Sequence, residues 1–160
     1  MQPISPFLWF DTQAEDAAQF YVSIFPNSRI LSTSYYSEGA PYPVGTVMVV
    51  QFELNGVLFQ ALNGGPHFQF SPAVSFAISA RDQAEIDHYW NALSGDGGTP
   101  GQCGWLDDKF GLSWQVIPAQ LGEILSDPDP EKAGRATGAL MGMTKIVIAE
   151  LEAARDGTAA

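Results

Sequence analysis

The chain has 160 residues, of which 46% are hydrophobic and 16% charged, and its net charge is −11. This charge argues against nucleic acid and anionic membrane surfaces as partners, because both attract clustered Lys or Arg, and the first 80 residues contain only Arg29. A single cysteine, Cys103, excludes an internal disulfide, and the sequence shows neither a secretory signal nor a membrane-length apolar run, so we expect a cytoplasmic protein.

The first predicted elements are a short strand and a helix. The apolar run at residues 6–10 predicts a buried strand. Asp11 or Thr12 can cap the following helix, and Glu15 stands three residues after Thr12, as a capping box requires. Apolar residues then recur at helical spacing until Pro26-Asn27, which ends the helix.

Three strands complete the first module, and they are predicted at residues 29–37, 45–54 and 57–62. Asn55-Gly56 joins the last two strands, and this dipeptide is the strongest short signal for a β-hairpin. Asn63-Gly64-Gly65-Pro66 then ends the module in a turn that lacks the Lys and the helix of a phosphate-binding loop. The order of elements over residues 3–64 is therefore β-α-β-β-β.

The same order recurs in the second half of the chain. Gln13-Ala14-Glu15 is repeated 70 positions later as Gln83-Ala84-Glu85, and each copy follows a strand-like run and opens a helix-like one. Asp82 is the predicted cap of the second helix. The predicted elements are a strand at 73–80, a helix at 82–94, a short strand near Thr99, and strands at 102–106 and 112–117. Residues 72–118 thus form a second β-α-β-β-β module.

Residues 119–160 lie outside the repeat. They contain a short predicted helix at 119–125, a longer one over about 127–143, and a segment of mixed helical and β-branched character at 145–155. We expect this C-terminal helical extension to pack on the outer face of a module or on a partner subunit. The two modules are expected to form one structural domain of the α+β class.

Several segments resemble one known family. They are Phe7-Leu8-Trp9-Phe10, Phe20-Tyr21, Phe25-Pro26-Asn27-Ser28, Ala61-Leu62-Asn63-Gly64-Gly65-Pro66, Gln102-Cys103-Gly104-Trp105 and Phe110-Gly111-Leu112-Ser113-Trp114-Gln115. Together with the paired modules, they resemble the PhnB-like branch of the vicinal oxygen chelate superfamily, which includes glyoxalases, bleomycin-resistance proteins and extradiol dioxygenases. The resemblance covers roughly residues 3–150. It implies a cup-shaped mixed β-sheet built from both modules, and a homodimer.

Members of this branch are often labelled 3-demethylubiquinone-9 3-methyltransferase-like. Methyl transfer would require a site for S-adenosylmethionine, and such a site is commonly built on a glycine-rich loop that follows a strand and opens a helix. The sequence contains no loop of this kind. We therefore do not expect methyltransferase activity.

The resemblance also implies where a metal would bind. In metal-dependent members, the first and last strands of each module supply ligands, typically His, Glu or Gln. Counting back from Phe20-Tyr21 places the first position near Ser5, and the offset of 70 residues carries it to Ser75. The last strands offer Gln60 and Gln115. Hydroxyls and amides carry no charge and little basicity, so we expect neither a metal nor another cofactor.

The remaining candidates have structural interpretations beside functional ones. Trp9 and Trp105 could line an aromatic pocket, although aromatic residues on strands more often belong to the core. His67 follows the glycine turn and is a weak candidate for a catalytic base, whereas His88 lies within the second helix and is expected at the surface. Cys103 has no neighbouring cation to activate it, and we expect a buried, inert thiol.

These patterns favour a metal-independent binding protein for a small, partly apolar molecule. The ligand-binding cup would be lined by Ser5, Gln60, Ser75, Gln115, Trp9 and Trp105. This assignment depends on strand register, because a shift of one residue turns a side chain to the other face. One alternative is an enzyme of the same superfamily, a lyase, isomerase or dioxygenase, that uses a metal in another register or His67 as a base. The other is a dimeric interaction protein without a small ligand.

Overall fold

The chain divides into two compact units, one ending at Phe70 and the other beginning at Ser71. This computed structural model describes residues 4–158. No helix within these residues has the length and apolar character needed to cross a membrane.

The first unit is a four-stranded mixed sheet with one helix. Its elements are β1 (Phe7–Phe10), α1 (Ala14–Ile24), β2 (Arg29–Tyr35), β3 (Val47–Leu54) and β4 (Val57–Asn63). The strands lie in the order β1-β4-β3-β2, with β1 parallel to β4 and the other neighbours antiparallel. The helix α1 buries its apolar stripe against one face of this sheet, where Tyr21 stacks on Phe52 at 6.2 Å between ring centroids. Among residues 4–70, α1 is the only helix, so no described helix of this unit covers the opposite face.

The hairpin turn between β3 and β4 and the start of α1 show where local sequence signals suffice and where they do not. Asn55 and Gly56 have φ angles of 46° and 85°, so they form the left-handed turn expected of the hairpin between β3 and β4. The predicted capping of α1 by Asp11 or Thr12 was wrong, because the N-cap residue is Gln13 and makes no side-chain cap bond. Instead, the amide oxygen of Asn63 accepts a hydrogen bond of 2.8 Å from the backbone N–H of Ala14.

The second unit repeats the arrangement. Its elements are β5 (Ser75–Ala80), α2 (Gln83–Ser94), β6 (Thr99–Pro100), β7 (Trp105–Asp107) and β8 (Ser113–Pro118). The strand order β5-β8-β7-β6 matches that of the first unit, again with the first strand parallel to the last. Asp82 caps α2, because its carboxylate accepts a hydrogen bond of 2.9 Å from the N–H of Glu85. The predicted cap of the second helix is confirmed.

The predicted strand at residues 102–106 is shorter than expected. Cys103 has a φ of 57°, which no strand residue adopts, and its N–H donates to the carbonyl of Met143 at 2.8 Å. The chain therefore turns at Cys103 and Gly104 before β7 begins. This turn attaches the module to the C-terminal extension, and Cys103 is only partly buried, not fully buried as the sequence predicted.

The C-terminal extension consists of α3 (Leu121–Leu125), α4 (Pro130–Gly142) and α5 (Ile148–Asp156). Its apolar residues form a cluster of their own, against which Cys103 and Ile117 of the module pack. The cluster comprises Ile124, Ala136, Leu140, Ile146 and Leu151. The predicted α+β class, with two β-α-β-β-β modules followed by a helical segment, is confirmed.

Candidate functional site

The register of the first sheet places the candidate residues on its helix-free face. Phe7 lies opposite Gln60, and Trp9 lies opposite Leu62. Because side chains alternate along a strand, Gln60 and Trp9 point to the same side, whereas buried Phe59 and Ala61 point toward α1.

A line of hydrogen-bonded polar side chains crosses this face. The Gln60 amide donates to the hydroxyl of Ser5, just before β1, at 3.2 Å. The amide of Gln51, on β3, donates to the Gln60 oxygen at 3.1 Å, and the hydroxyl of Ser32, on β2, donates to the Gln51 oxygen at 3.1 Å. We call Ser32, Gln51, Gln60 and Ser5 the polar line. It crosses the width of the sheet.

Sequence reasoning missed half of the polar line. Ser5 and Gln60 were predicted, but Gln51 and Ser32 were not. The hairpin at Asn55-Gly56 contained the signal for Gln51, because a two-residue turn fixes the pairing of its strands and sets Gln51 directly opposite Gln60. Ser32 could not be predicted in the same way, since the pairing of β2 with β3 contains register shifts after Ile30 and after Ser34.

The second sheet carries a shorter version of the same arrangement. The amide of Gln115 donates to the hydroxyl of Ser75 at 2.9 Å. Trp105 lies directly opposite Gln115 in the pairing of β7 with β8, so both point to the face turned away from α2. On this face the Ser113 hydroxyl donates to a carboxylate oxygen of Asp107 at 2.5 Å. Each predicted Ser therefore meets its predicted Gln within its own unit.

Trp9 and Trp105 are both partly buried. The indole N–H of Trp9 donates to the carbonyl of Gly65 at 2.8 Å, and its ring meets Phe68 edge-on at 5.0 Å. The polar atom of Trp9 is thus already bonded, and its exposed contribution to any ligand is ring surface.

The remaining candidates lie apart from the polar line. His67 is exposed in the segment after β4, and His88 is exposed on α2, where its ring contacts Tyr89 at 5.0 Å. The thiol of Cys103 lies 3.4 Å from the carbonyl oxygen of Leu140. His67 therefore takes no part in the polar line, and Cys103 contributes to the packing of the extension.

The metal that the superfamily implies does not fit these side chains. Ser5, Gln60, Ser75 and Gln115 offer only neutral hydroxyl and amide groups, which are weak ligands for zinc, nickel or iron. Within residues 4–158, no group of three His, Cys, Asp or Glu side chains is placed to hold a metal ion.

Known proteins share both the sequence and the topology. The family model described as 3-demethylubiquinone-9 3-methyltransferase matches residues 2–117. A PhnB protein from Bacillus cereus is 36% identical, with 74% of this chain and 100% of that chain covered and a TM-score of 0.67. No curated protein matches the sequence.

More distant structures share the fold. A protein from Pseudomonas aeruginosa is 19% identical, with 74% of this chain and 98% of that chain covered and a TM-score of 0.60. A gene product from Arabidopsis thaliana is 18% identical, with coverages of 73% and 98% and a TM-score of 0.50.

Proposed function

The chain belongs to the 3-demethylubiquinone-9 3-methyltransferase family, the PhnB-like branch of the vicinal oxygen chelate superfamily, and on that premise we propose that it binds a small, partly apolar molecule without a metal. The polar line carries this proposal. Its side chains are neutral, and each Gln offers both a donor and an acceptor, so they suit a neutral ligand with hydroxyl, carbonyl or amide groups. Trp9, on the same face, supplies apolar surface.

The second sheet supports the same chemistry. Ser75 and Gln115 repeat the hydroxyl–amide pair, and Trp105 lies directly opposite Gln115 on the same face. A duplicated module that keeps the same two side-chain types at matching positions, and joins them by the same hydrogen bond, supports a binding role for them.

Methyl transfer is not part of the proposed function, although the family description names it. Gly64-Gly65 follows β4, but Pro66 comes next and no helix begins there. Within residues 4–158, no glycine-rich loop joins a strand to a helix N-terminus, which is the arrangement that commonly holds such a nucleotide cofactor.

The experiment combines metal analysis with ligand titration of the purified full chain. Elemental analysis should find no stoichiometric metal, and chelation should leave the melting temperature unchanged. A panel of neutral aromatic amides and alcohols should contain members that raise the melting temperature, whereas S-adenosylmethionine should not raise it. One tightly bound metal per chain, together with a loss of stability on chelation, would contradict the proposal.

We also propose that the protein forms a homodimer. The edge strand β2 supports this, because Ile30, Leu31 and Tyr35 are 38%, 43% and 56% exposed on it, and exposed apolar side chains on a strand edge favour association. Light scattering coupled to size exclusion should give twice the chain mass, and Leu31→Lys should shift the protein toward the monomer. Lysine at exposed Val74 serves as the matched control. A monomeric wild-type protein at micromolar concentration contradicts the dimer.

A further inference from the structure

A cleft in the first unit lies apart from the polar line. It opens between the first turn of α1 and the segment that joins β2 to β3, and its volume is about 370 Å³. This volume falls within the range of small-molecule pockets, about 300–1,000 Å³. Its walls are formed by Asp11, Thr12, Glu15, Asp16, Tyr36, Tyr42, Pro43, Thr46, Val47 and Asn63.

Two tyrosines form the aromatic part of the cleft. The rings of Tyr36 and Tyr42 have centroids 4.7 Å apart and planes inclined at 37°. The Tyr36 hydroxyl donates to the backbone carbonyl of Asn63 at 2.6 Å, which fixes this ring against β4. Loss of surrounding water, and then the neighbouring Tyr42, raise the pKa of Tyr36, so its phenol stays neutral at physiological pH.

The charged groups of the cleft are all acidic. Asp11, Glu15 and Asp16 line it, and none of its described lining residues is Lys, Arg or His. Among residues 4–158, no ion pair involves any of these three carboxylates. Arg29, which is the only Lys or Arg among the first 70 residues, lies 3.6 Å from Glu53 instead. The N-terminus of α1 offsets only about half an elementary charge.

We propose that this cleft binds an organic ammonium ion that carries an apolar body. The faces of Tyr36 and Tyr42 attract a cation through their ring quadrupoles, while Pro43 and Val47 offer apolar contact. The carboxylates accept the ammonium hydrogens and favour the positive charge. A small inorganic cation fits less well, because no three acidic side chains within the described residues converge on one point. Phosphates and carboxylates are repelled.

This inference does not depend on the proposed function, since the cleft shares no residue with the polar line. The test uses phenethylamine as the cation and 2-phenylethanol as its neutral counterpart. Both are titrated into the isotopically labelled full chain, and binding is followed by backbone amide shifts and calorimetry. Phenethylamine should shift the amides of residues 11–16 and 36–47, with an affinity that falls as salt rises.

Matched variants separate local charge from overall charge. Glu15→Gln with Asp16→Asn should weaken phenethylamine binding about fivefold for each charge removed. Glu123→Gln with Glu150→Gln makes the same change in net charge at exposed positions in the second unit and should leave the affinity unchanged. Tyr42→Phe should bind as the wild type does, because the ring face remains, whereas Tyr42→Ala should weaken binding about two- to fivefold.

Several outcomes overturn the proposal. They are equal affinity for the neutral alcohol, equal weakening by the control pair, and amide shifts confined to residues outside the cleft. Absence of saturable binding up to about 10 mM also overturns it, because a specific site of this size should bind more tightly than that. Circular dichroism of each variant verifies that a loss of binding is not a loss of fold.

Discussion

Gln60 and Ser5 are 55 residues apart in sequence, and their side chains are joined by a hydrogen bond of 3.2 Å. Ser75 and Gln115, 40 residues apart, form the same contact at 2.9 Å. Both contacts arise because the first strand of each module runs parallel to its last strand. The topology of the module, rather than local sequence, therefore creates the hydroxyl–amide pairs.

The first prediction separates binding from stability in the polar line. Gln60→Leu keeps the size of the side chain but removes the donor to Ser5 and the acceptor for Gln51. Because all three side chains are at least partly exposed, water replaces the lost bonds, and the free energy of unfolding should change by less than about 1 kcal/mol. Binding of neutral amides should weaken clearly.

Gln19→Leu is the control for this variant. Gln19 is exposed on α1 and takes no part in the polar line. Urea unfolding and thermal-shift titration of both variants provide the measurement. If both variants bind the probes as well as the wild type does, the polar line is not the binding surface.

The second prediction concerns the close approach of Gly64 to Trp9. A Cβ at Gly64 would lie within 2.6 Å of the Trp9 ring, so Gly64→Ala must displace the indole or the backbone. We expect a loss of about 1–3 kcal/mol in unfolding free energy, as for other overpacked sites. Trp9→Leu should relieve the clash, so that the alanine costs less in that background.

Gly138→Ala is the matched control, because the same substitution there meets open space within α4. Because alanine has a higher helix propensity than glycine, this substitution should raise the free energy of unfolding by up to about 1 kcal/mol. Chemical denaturation of the single and double variants completes the cycle. Additive effects of Gly64→Ala and Trp9→Leu would contradict the predicted contact.

The repeated Gln-Ala-Glu shows what could and what could not be predicted from the sequence. It located both helix starts, because periodicity and turn residues are local. It could not give the roles of the repeated residues. The side chain of Gln13 accepts a hydrogen bond from the N–H of its neighbour Thr12, whereas the side chain of Gln83 reaches the backbone of Ile146 and Ile148 in the extension. These partners are more than 60 residues away in the chain and follow from tertiary packing alone.

The same limit explains why the cleft and the cap of α1 could not be predicted from the sequence. Asn63 looked like part of a turn, but its side chain caps α1 and also donates to the carbonyl of Val47. A residue at the end of β4 can do this only because β4 is adjacent to β1, which precedes the helix. The segment that closes the cleft, residues 36–46, has no periodic pattern from which its position could be predicted.

The third prediction concerns buried Asp108, which is 3% exposed. One of its carboxylate oxygens accepts from the N–H groups of Phe110 and Leu112, and the other accepts from the indole of Trp114 at 2.9 Å. Asp108→Ala leaves buried donors without acceptors, and we expect a loss of about 2–4 kcal/mol in unfolding free energy.

Trp114→Phe separates the two halves of this network, because it removes only the indole donor. It should cost less than Asp108→Ala, and the two effects should be non-additive when combined. Urea unfolding followed by circular dichroism provides the measurement. A change below about 1 kcal/mol for Asp108→Ala would show that the turn before β8 does not need this carboxylate.

The last prediction concerns the pH dependence of the contact between α2 and the C-terminal extension. The ammonium of Lys145 donates to Asp87 at 2.6 Å, and the amide of Gln83 also donates to this carboxylate. First Lys145 and then Gln83 lower the pKa of Asp87 below its ordinary value. The unfolded chain therefore takes up a proton on Asp87 at a higher pH than the folded chain does.

Stability from this contact is present above the unfolded pKa, about 3.9, and is lost as the pH falls through the lower folded pKa. Lys145→Met should move the pKa of Asp87, measured by carboxyl NMR titration, upward toward its ordinary value, while Lys109→Met should not move it. Because Gln83 still binds Ile146 and Ile148, the extension should remain docked in the Lys145 variant at neutral pH. An unchanged titration of Asp87 in that variant would mean that Lys145 is not its partner in solution.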